Sequence, residues 1–211
     1  EVKEYYNILS RKKVSLILKR GFDLVAGVGV LVVTAIPMLV IGIKIATESE
    51  GGVFYRQERV TIYGKKFKIH EFRTMVANAD KIGSAVTVSG DNRITPTGAF
   101  LRKYRLDELP QVFDILSGNM SFVGTRPEVV KYVKKYKPEY FATLLLPAGI
   151  TSEASIKYKD EAELLDAAED VDEVYITKVL PEKMKYNLSS IRKFSFLGEI
   201  ATMIKTVFAV L

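Results

Sequence analysis

Between Leu24 and Ile43 the chain runs for 20 residues without a charge, LVAGVGVLVVTAIPMLVIGI. About 20 apolar residues in helical form cross the hydrocarbon core of a bilayer, so this run is a candidate membrane segment. A buried helix of a soluble domain is the alternative, although soluble helices of this length usually keep a polar stripe toward water. A secretory leader does not fit, because the run lies well inside the chain and no small-residue cleavage site closes it before Lys44. Cations flank both ends: Arg11, Lys12, Lys13, Lys19 and Arg20 upstream, and Lys44, Arg56, Arg59, Lys65 and Lys66 downstream. Charge therefore gives neither end an outward preference. Pro37 cannot donate to the carbonyl of Val33, which predicts a kink at Ile36–Pro37, with Thr34 placed to satisfy part of the freed backbone. Cations at both ends and a break in the middle predict a re-entrant segment whose ends share the cytoplasmic face. A tilted single span is the alternative.

Composition narrows the chemistry. The chain has no Cys and one His, His70, which excludes disulfides, Cys-ligated zinc, iron–sulfur clusters, thiol catalysis and multi-histidine metal sites. Carboxylates, hydroxyls and cations must do the work. Hydrophobic residues are 48% of the 211, so the chain is not intrinsically disordered. The net charge of +6 suits a polyanionic partner such as phosphate or anionic lipid.

The rest of the sequence predicts a mainly α architecture with one small β-hairpin. Residues 1–47 would form an N-terminal interfacial segment and the re-entrant helix. Residues 48–211 would form a cytoplasmic catalytic domain with interfacial helices, integrated with the first part. Val53–Val60 and Lys66–Thr74 are rich in β-branched and aromatic residues around Gly64, as in a hairpin. Gly83–Gly98 lacks periodicity and reads as an irregular surface segment. Leu106, Leu109, Val112, Phe113 and Leu116 predict the apolar face of a helix ending near Gly118, with Pro110 in its first turns. Glu128–Tyr140 alternates Lys131, Lys134, Lys135 and Lys137 with Val and Tyr, a basic-aromatic stretch suited to a membrane surface. An acidic helix is expected over Asp160–Tyr175 as a solvated face. The apolar Phe194–Leu211 should pack on the domain or lie at the interface.

Asp107 and Glu108 stand side by side at the start of the predicted helix, just after Arg102, Lys103 and Arg105. A helix N-terminus favours ionised carboxylates, which a carboxylate nucleophile or a Mg²⁺ ligand requires; helix capping is the plainer use of the same residues. Gly124, Arg126 and Pro127 predict a tight turn in which Arg matches phosphate oxygens and Gly admits close backbone approach. Arg73, Lys157 and Lys159 offer further cations. Gly27-Val28-Gly29 lacks the third Gly of a dinucleotide fingerprint and lies in the apolar run. His70 reads as a satisfied hairpin residue.

The ordered elements KRGFDL, the apolar run with its central Pro, FYRQERV, FKIHEFRTM, LRKYRLDELPQVFDILSGNMSFVGTRP, PAGIT and FSFLGEI resemble the bacterial sugar transferases known as monotopic phosphoglycosyltransferases. The resemblance covers residues 17 to 207 and is most specific over Leu106–Pro127. With no large added domain, the chain looks like the minimal catalytic form. The resemblance implies transfer of a sugar-1-phosphate from a UDP-sugar to undecaprenyl phosphate, with release of UMP. It casts Asp107 as the nucleophile of a covalent phosphosugar intermediate and Glu108 as the ligand of a Mg²⁺ cofactor. Arg73, Arg102, Gln111, Arg126, Pro127 and Lys159 would be substrate and phosphate contacts. The implied location is the bacterial inner membrane, with phospholipid as a partner, no nucleic acid, and a homo-oligomer left open. Leu146-Pro147-Ala148-Gly149 departs from the family's usual Arg-Pro-Gly, Tyr158-Lys159 from its Gly-Arg pair, and Ile36-Pro37 from its Ser-Pro. A non-catalytic scaffold binding anionic lipid is the competing class.

Overall fold

The computed structural model describes residues 1–79, 91–159, 168 and 170–210. α1 (Val2–Ser10) is followed by α2 (Lys13–Glu48), a helix of 36 residues that is about 54 Å long at the α-helical rise. Among the described residues it is the one helix long and apolar enough to cross a membrane. Val25, Val32, Val33 and Ile36 on its outward face are 72–77% exposed. Lys19, Asp23, Gly27, Met38 and Ile45 are buried along the opposite stripe, at separations that keep residues on one helical face.

That inner stripe docks along its whole length. Lys19 Nζ donates to the Val123 carbonyl at 2.7 Å and pairs with Glu199. Arg20 donates to the carbonyls of Ile115 at 2.7 Å and Leu116 at 3.1 Å, and the Asp23 carboxylate accepts the Phe122 N–H at 3.2 Å. Further on, Met38 and Ile45 share a core with Phe72, Leu101 and Val112. Both halves of α2 therefore rest on the same domain.

Helix continues through Ile36 and Pro37, so the run is not divided into two helices there. Proline removes a single ladder bond, which a long helix absorbs by bending. Thr34 does not serve the Val33 carbonyl either, because its hydroxyl donates to the carbonyl of Val30 at 2.7 Å.

The C-terminal carbonyls of α2 need partners, as at any helix end. Arg73 supplies them, donating to the carbonyls of Ile45 at 3.4 Å and Ser49 at 2.8 Å, and to that of Glu50. Arg73→Ala should therefore lower stability by about 1.5 to 3 kcal/mol, the range for charged hydrogen bonds, and leave the substrate KM of the folded fraction unchanged. Thermal melts beside initial-rate kinetics check this, and a raised KM at unchanged melting temperature would return Arg73 to the substrate side.

The hairpin forms in two antiparallel pieces. β1 (Phe54–Tyr55) pairs with β4 (Glu71–Phe72), and β2 (Glu58–Val60) pairs with β3 (Lys66–Lys68) across a tip where Gly64 adopts φ +76°. His70 is a satisfied hairpin residue, its N–H and Nδ1 bonded to the buried Asp114 carboxylate at 2.8 and 2.9 Å.

Helix boundaries differ from expectation. α3 (Pro96–Lys103) begins inside the stretch read as irregular, because Thr95 accepts the Gly98 N–H at 3.0 Å and Pro96 sits at the first helical position. Residues 83–90 of that stretch lie outside the described residues. The helix expected from Leu106 is a 3₁₀ turn, Leu106–Gln111, followed by α4 (Val112–Leu116). Pro110 has no N–H to offer the Leu106 carbonyl, so regular α-helix cannot start there. Gly118 does end the run, at φ +81°, while Phe113 turns out of the apolar face and meets the His70 ring at 5.9 Å.

β5 (Met120–Val123) and β6 (Ala148–Thr151) form a parallel pair that the sequence did not announce. Between them lie α5 (Val130–Val133) and a 3₁₀ segment, Pro138–Leu145. The basic-aromatic stretch is a correction: Tyr132, Tyr136 and Tyr140 are 3–9% exposed and pack with Tyr5 and Leu9 of α1 in the main core. Tyrosines spaced by four fit a core face as well as a lipid face, and here the core takes them.

After α6 (Glu153–Lys157), residues 160–167 and 169 of the expected acidic helix lie outside the described residues. α7 (Val171–Val174) continues through a π-helical turn, Tyr175–Val179, into α8 (Leu180–Arg192). α9 (Phe196–Val210) packs on α2, β5, β6 and α6 while leaving Leu197, Ile204, Val207 and Phe208 exposed.

Candidate active site

The acid pair owes its position to one backbone reversal. Arg105 takes a left-handed conformation, φ +53°, between α3 and the 3₁₀ turn. Such a conformation in a non-glycine residue is uncommon. It starts the new turn so that Asp107 and Glu108 occupy its first positions, opposite β4.

Glu108 is buried and its Oε1 accepts from Arg126 at 2.7 Å, with Arg105 Nη1 at 3.5 Å. Burial alone would raise its proton affinity, but Arg126, Arg105 and Arg59 hold the carboxyl below its ordinary range. Arg126 is in turn held charged chiefly by Glu108. Asp107 goes the other way. It forms no ion pair among the described residues, and burial, Glu108 and Glu71 push its pKa up to about 6 against the opposing pull of Arg102. Asp107 lies in the first turn of a six-residue 3₁₀ segment, and a pKa of about 6 still leaves its carboxylate mostly ionised at neutral pH.

The other expected site residues are distributed as follows. Arg102 Nε donates to Thr74 Oγ1 at 2.8 Å beside the acid pair. Gln111 is wholly buried and its Nε2 donates to Glu71 Oε1 at 3.1 Å. Pro127 is buried, and its carbonyl accepts from Arg59 Nη1 at 3.2 Å. Lys103 stands over the Tyr104 ring at 5.4 Å, and Lys159 is exposed beyond α6. Arg73 serves the end of α2, as described above. Glu71 and Arg59 were missed, although both stand in the hairpin motifs that flank Gly64; their alternation between faces was the available signal.

Gly124 does admit a close backbone approach, but the visitor is the chain itself. A Cβ on Gly124 would lie 2.7 Å from the Pro147 carbonyl oxygen, and one on Gly149 would lie 2.1 Å from the Gly124 nitrogen.

Among the described residues there is no group of three or more His, Asp or Glu side chains able to hold a metal by themselves. A Mg²⁺ ion bound through one carboxylate would need substrate phosphates as its other ligands, and Glu108 Oε1 already accepts from Arg126. Glu108 is the residue that would contribute.

The site thus sets a carboxylate with no ion pair among the described residues beside an Arg-neutralised one, on a small α-rich domain against which a long apolar helix docks. Residues 14–211 match the bacterial sugar transferase family, and the chain belongs to that family. It is 32% identical, over 92% of its length, to the UDP-N-acetylgalactosamine-undecaprenyl-phosphate N-acetylgalactosaminephosphotransferase of Aeromonas hydrophila, covering 44% of that protein. It is 32% identical, again over 92% of its length, to the UDP-glucose:undecaprenyl-phosphate glucose-1-phosphate transferase of Klebsiella pneumoniae, covering 40% of it. A third relative, the undecaprenyl-phosphate galactose phosphotransferase of Salmonella typhimurium, is 34% identical over 66% of the chain and is covered to 32%. The chain thus spans less than half the length of these relatives.

Proposed function

We propose that the protein transfers a sugar-1-phosphate from a UDP-sugar to undecaprenyl phosphate at the cytoplasmic face of the bacterial inner membrane. The observation that carries this reading is the pairing of unlike carboxylates: Glu108 neutralised by Arg126, and Asp107 beside it with no ion pair among the described residues. A carboxylate left unpaired beside fixed guanidinium groups can attack an anionic phosphorus whose charge those groups offset.

In the first step an Asp107 carboxylate oxygen attacks the β-phosphorus of the donor. The bond from that phosphorus to the bridging oxygen breaks, UMP leaves with the electron pair, and an acyl phosphosugar remains on Asp107. In the second step an oxygen of the lipid phosphate attacks the same phosphorus and the Asp107 carboxylate departs. Arg126 and Arg102 orient the phosphates. Mg²⁺, when bound by Glu108 with the diphosphate, supplies charge neutralisation for the leaving UMP.

The names of the relatives carry three different sugars on one lipid acceptor, so a donor panel is the informative experiment. Detergent-solubilised protein given undecaprenyl phosphate should release UMP from at least one UDP-sugar, and EDTA should abolish that release. A lipid-binding scaffold would release none.

Because both halves of α2 rest on one domain, we infer that its two ends share the cytoplasmic face, since a helix crossing the bilayer would carry one end away from a domain on one side. Cysteines introduced at Ser10 and Glu50 should both resist a membrane-impermeant maleimide in intact cells and react after lysis. The chain has no background Cys. Labelling of either from outside would establish a true span.

A further inference from the structure

Behind Arg126 lies a buried polar network that the chemistry above does not use. Glu128, Tyr175 and Lys183 are 8%, 3% and 6% exposed. The Tyr175 hydroxyl donates to Glu128 Oε1 at 2.6 Å, and Lys183 Nζ donates to the Tyr175 oxygen at 3.3 Å. Burying a carboxylate, a phenol and an ammonium costs desolvation that apolar side chains of equal volume would avoid. Stability alone is a poor reason for the arrangement.

The network grips the side chain of Glu128 at the end of a turn whose backbone the hairpin holds at the same place. The Val60 N–H donates to the Glu128 carbonyl at 3.0 Å, Arg59 Nη1 donates to the Pro127 carbonyl at 3.2 Å, and Arg59 bridges to Val129. Arg126-Pro127-Glu128 is therefore clamped between the hairpin and the C-terminal helices. We propose that Glu128, Tyr175 and Lys183 are positioning residues that fix the turn from which Arg126 reaches Glu108. The kinetic part of this inference rests on the transferase reading.

Tyr132 provides a matched control. Its ring lies 4.8 Å from that of Tyr175 in the same core, but its hydroxyl donates to Asp172 at 2.5 Å and not to the turn. Tyr132→Phe and Tyr175→Phe each delete one buried phenol donor. Only the second acts on Glu128.

Two measurements test the assignment on the full-length protein. By hydrogen exchange, Tyr175→Phe should speed exchange at Val60 and across residues 124–129 by tenfold or more, whereas Tyr132→Phe should leave both unchanged. By UMP release, Tyr175→Phe should lower kcat about tenfold, less than the roughly hundredfold that a 1 Å misplacement can cost. In an Arg126→Gln background, where there is no guanidinium left to position, the same change should cost less than twofold. Equal exchange in the two Phe variants, or effects of Tyr175→Phe and Arg126→Gln that simply multiply, would overturn the proposal. Should Tyr175→Phe fail to fold, Lys183→Met carries the same two readouts. If the parent releases no UMP from any donor, the transferase reading falls and the exchange comparison still decides the clamp.

Discussion

Asp107→Asn should be more stable than the parent at pH 8 and nearly devoid of activity. The parent's Asp107 has its pKa raised from 3.8 to about 6 by burial and by Glu108 and Glu71. A carboxyl with a raised folded-state pKa favours the folded state while protonated, at pH below its ordinary value, and loses that contribution as pH climbs through the folded pKa. Above about pH 6 the parent therefore carries an ionised group that its surroundings disfavour, at a cost of about 1 to 3 kcal/mol. Asn has the same shape without the charge, so the stability gain should appear between about pH 4 and 6 and be complete at pH 8. In the proposed mechanism the same substitution removes the attacking group, so UMP release should fall by about a thousandfold or more. For the parent, kcat/KM should decline as pH drops below about 6, where Asp107 in the free protein becomes protonated. Urea melts at pH 4 and pH 8, a pH–rate profile, and intact-protein mass spectrometry after donor addition read all three. A phosphosugar adduct should appear on the parent alone. An Asn variant with more than a tenth of the parent's activity would remove Asp107 from the mechanism.

The second large effect is expected at Gly149. An added Cβ would lie 2.1 Å from the Gly124 nitrogen, 2.4 Å from its oxygen and 2.5 Å from its Cα. All three are backbone atoms in a parallel pairing where Ser121 faces Gly149, so no rotamer change relieves the clash. Gly149→Ala should cost about 3 kcal/mol or more, beyond ordinary overpacking because the strands themselves must part. Against typical total stabilities of about 5 to 15 kcal/mol, that loss takes a large share of the margin, so the urea midpoint should fall markedly. Gly21 supplies the comparison: nothing lies within 4 Å of a Cβ built there, and in a helix interior Gly21→Ala should gain about 0.5 to 1 kcal/mol. A Gly149→Ala urea midpoint equal to the parent's would show that β5 and β6 do not meet in this way.

Much of this was legible because it rests on local chemistry. The charge-free run gave the long helix, Gly64 gave the hairpin tip, and Asp107-Glu108, expected at a helix start, do stand in the first turn of a 3₁₀ segment. What failed to show was where donors and acceptors would be used. Arg73 looks like any phosphate-binding cation until its guanidinium is seen on the carbonyls of Ile45 and Ser49. Tyr132, Tyr136 and Tyr140 fit a lipid-facing or a core-facing helix equally, and only the partners Tyr5 and Leu9 decide. The opposite fates of Asp107 and Glu108 depend on Arg126, 18 residues further on, and on Glu71, neither of which is a neighbour in sequence.

The inner stripe of α2 also bears on how the protein can be made. Without α2, Phe72, Leu101 and Val112 would lose the cover of Met38 and Ile45, and Val123 and Phe122 would lose their partners Lys19 and Asp23. Trimming the apolar helix to obtain a water-soluble catalytic fragment should therefore yield an aggregating chain, not a smaller enzyme. By the same logic, Lys19 and Asp23 have no place in hydrocarbon until the domain is present to receive them, so biogenesis calls for the helix to settle into lipid together with the folded domain and not ahead of it.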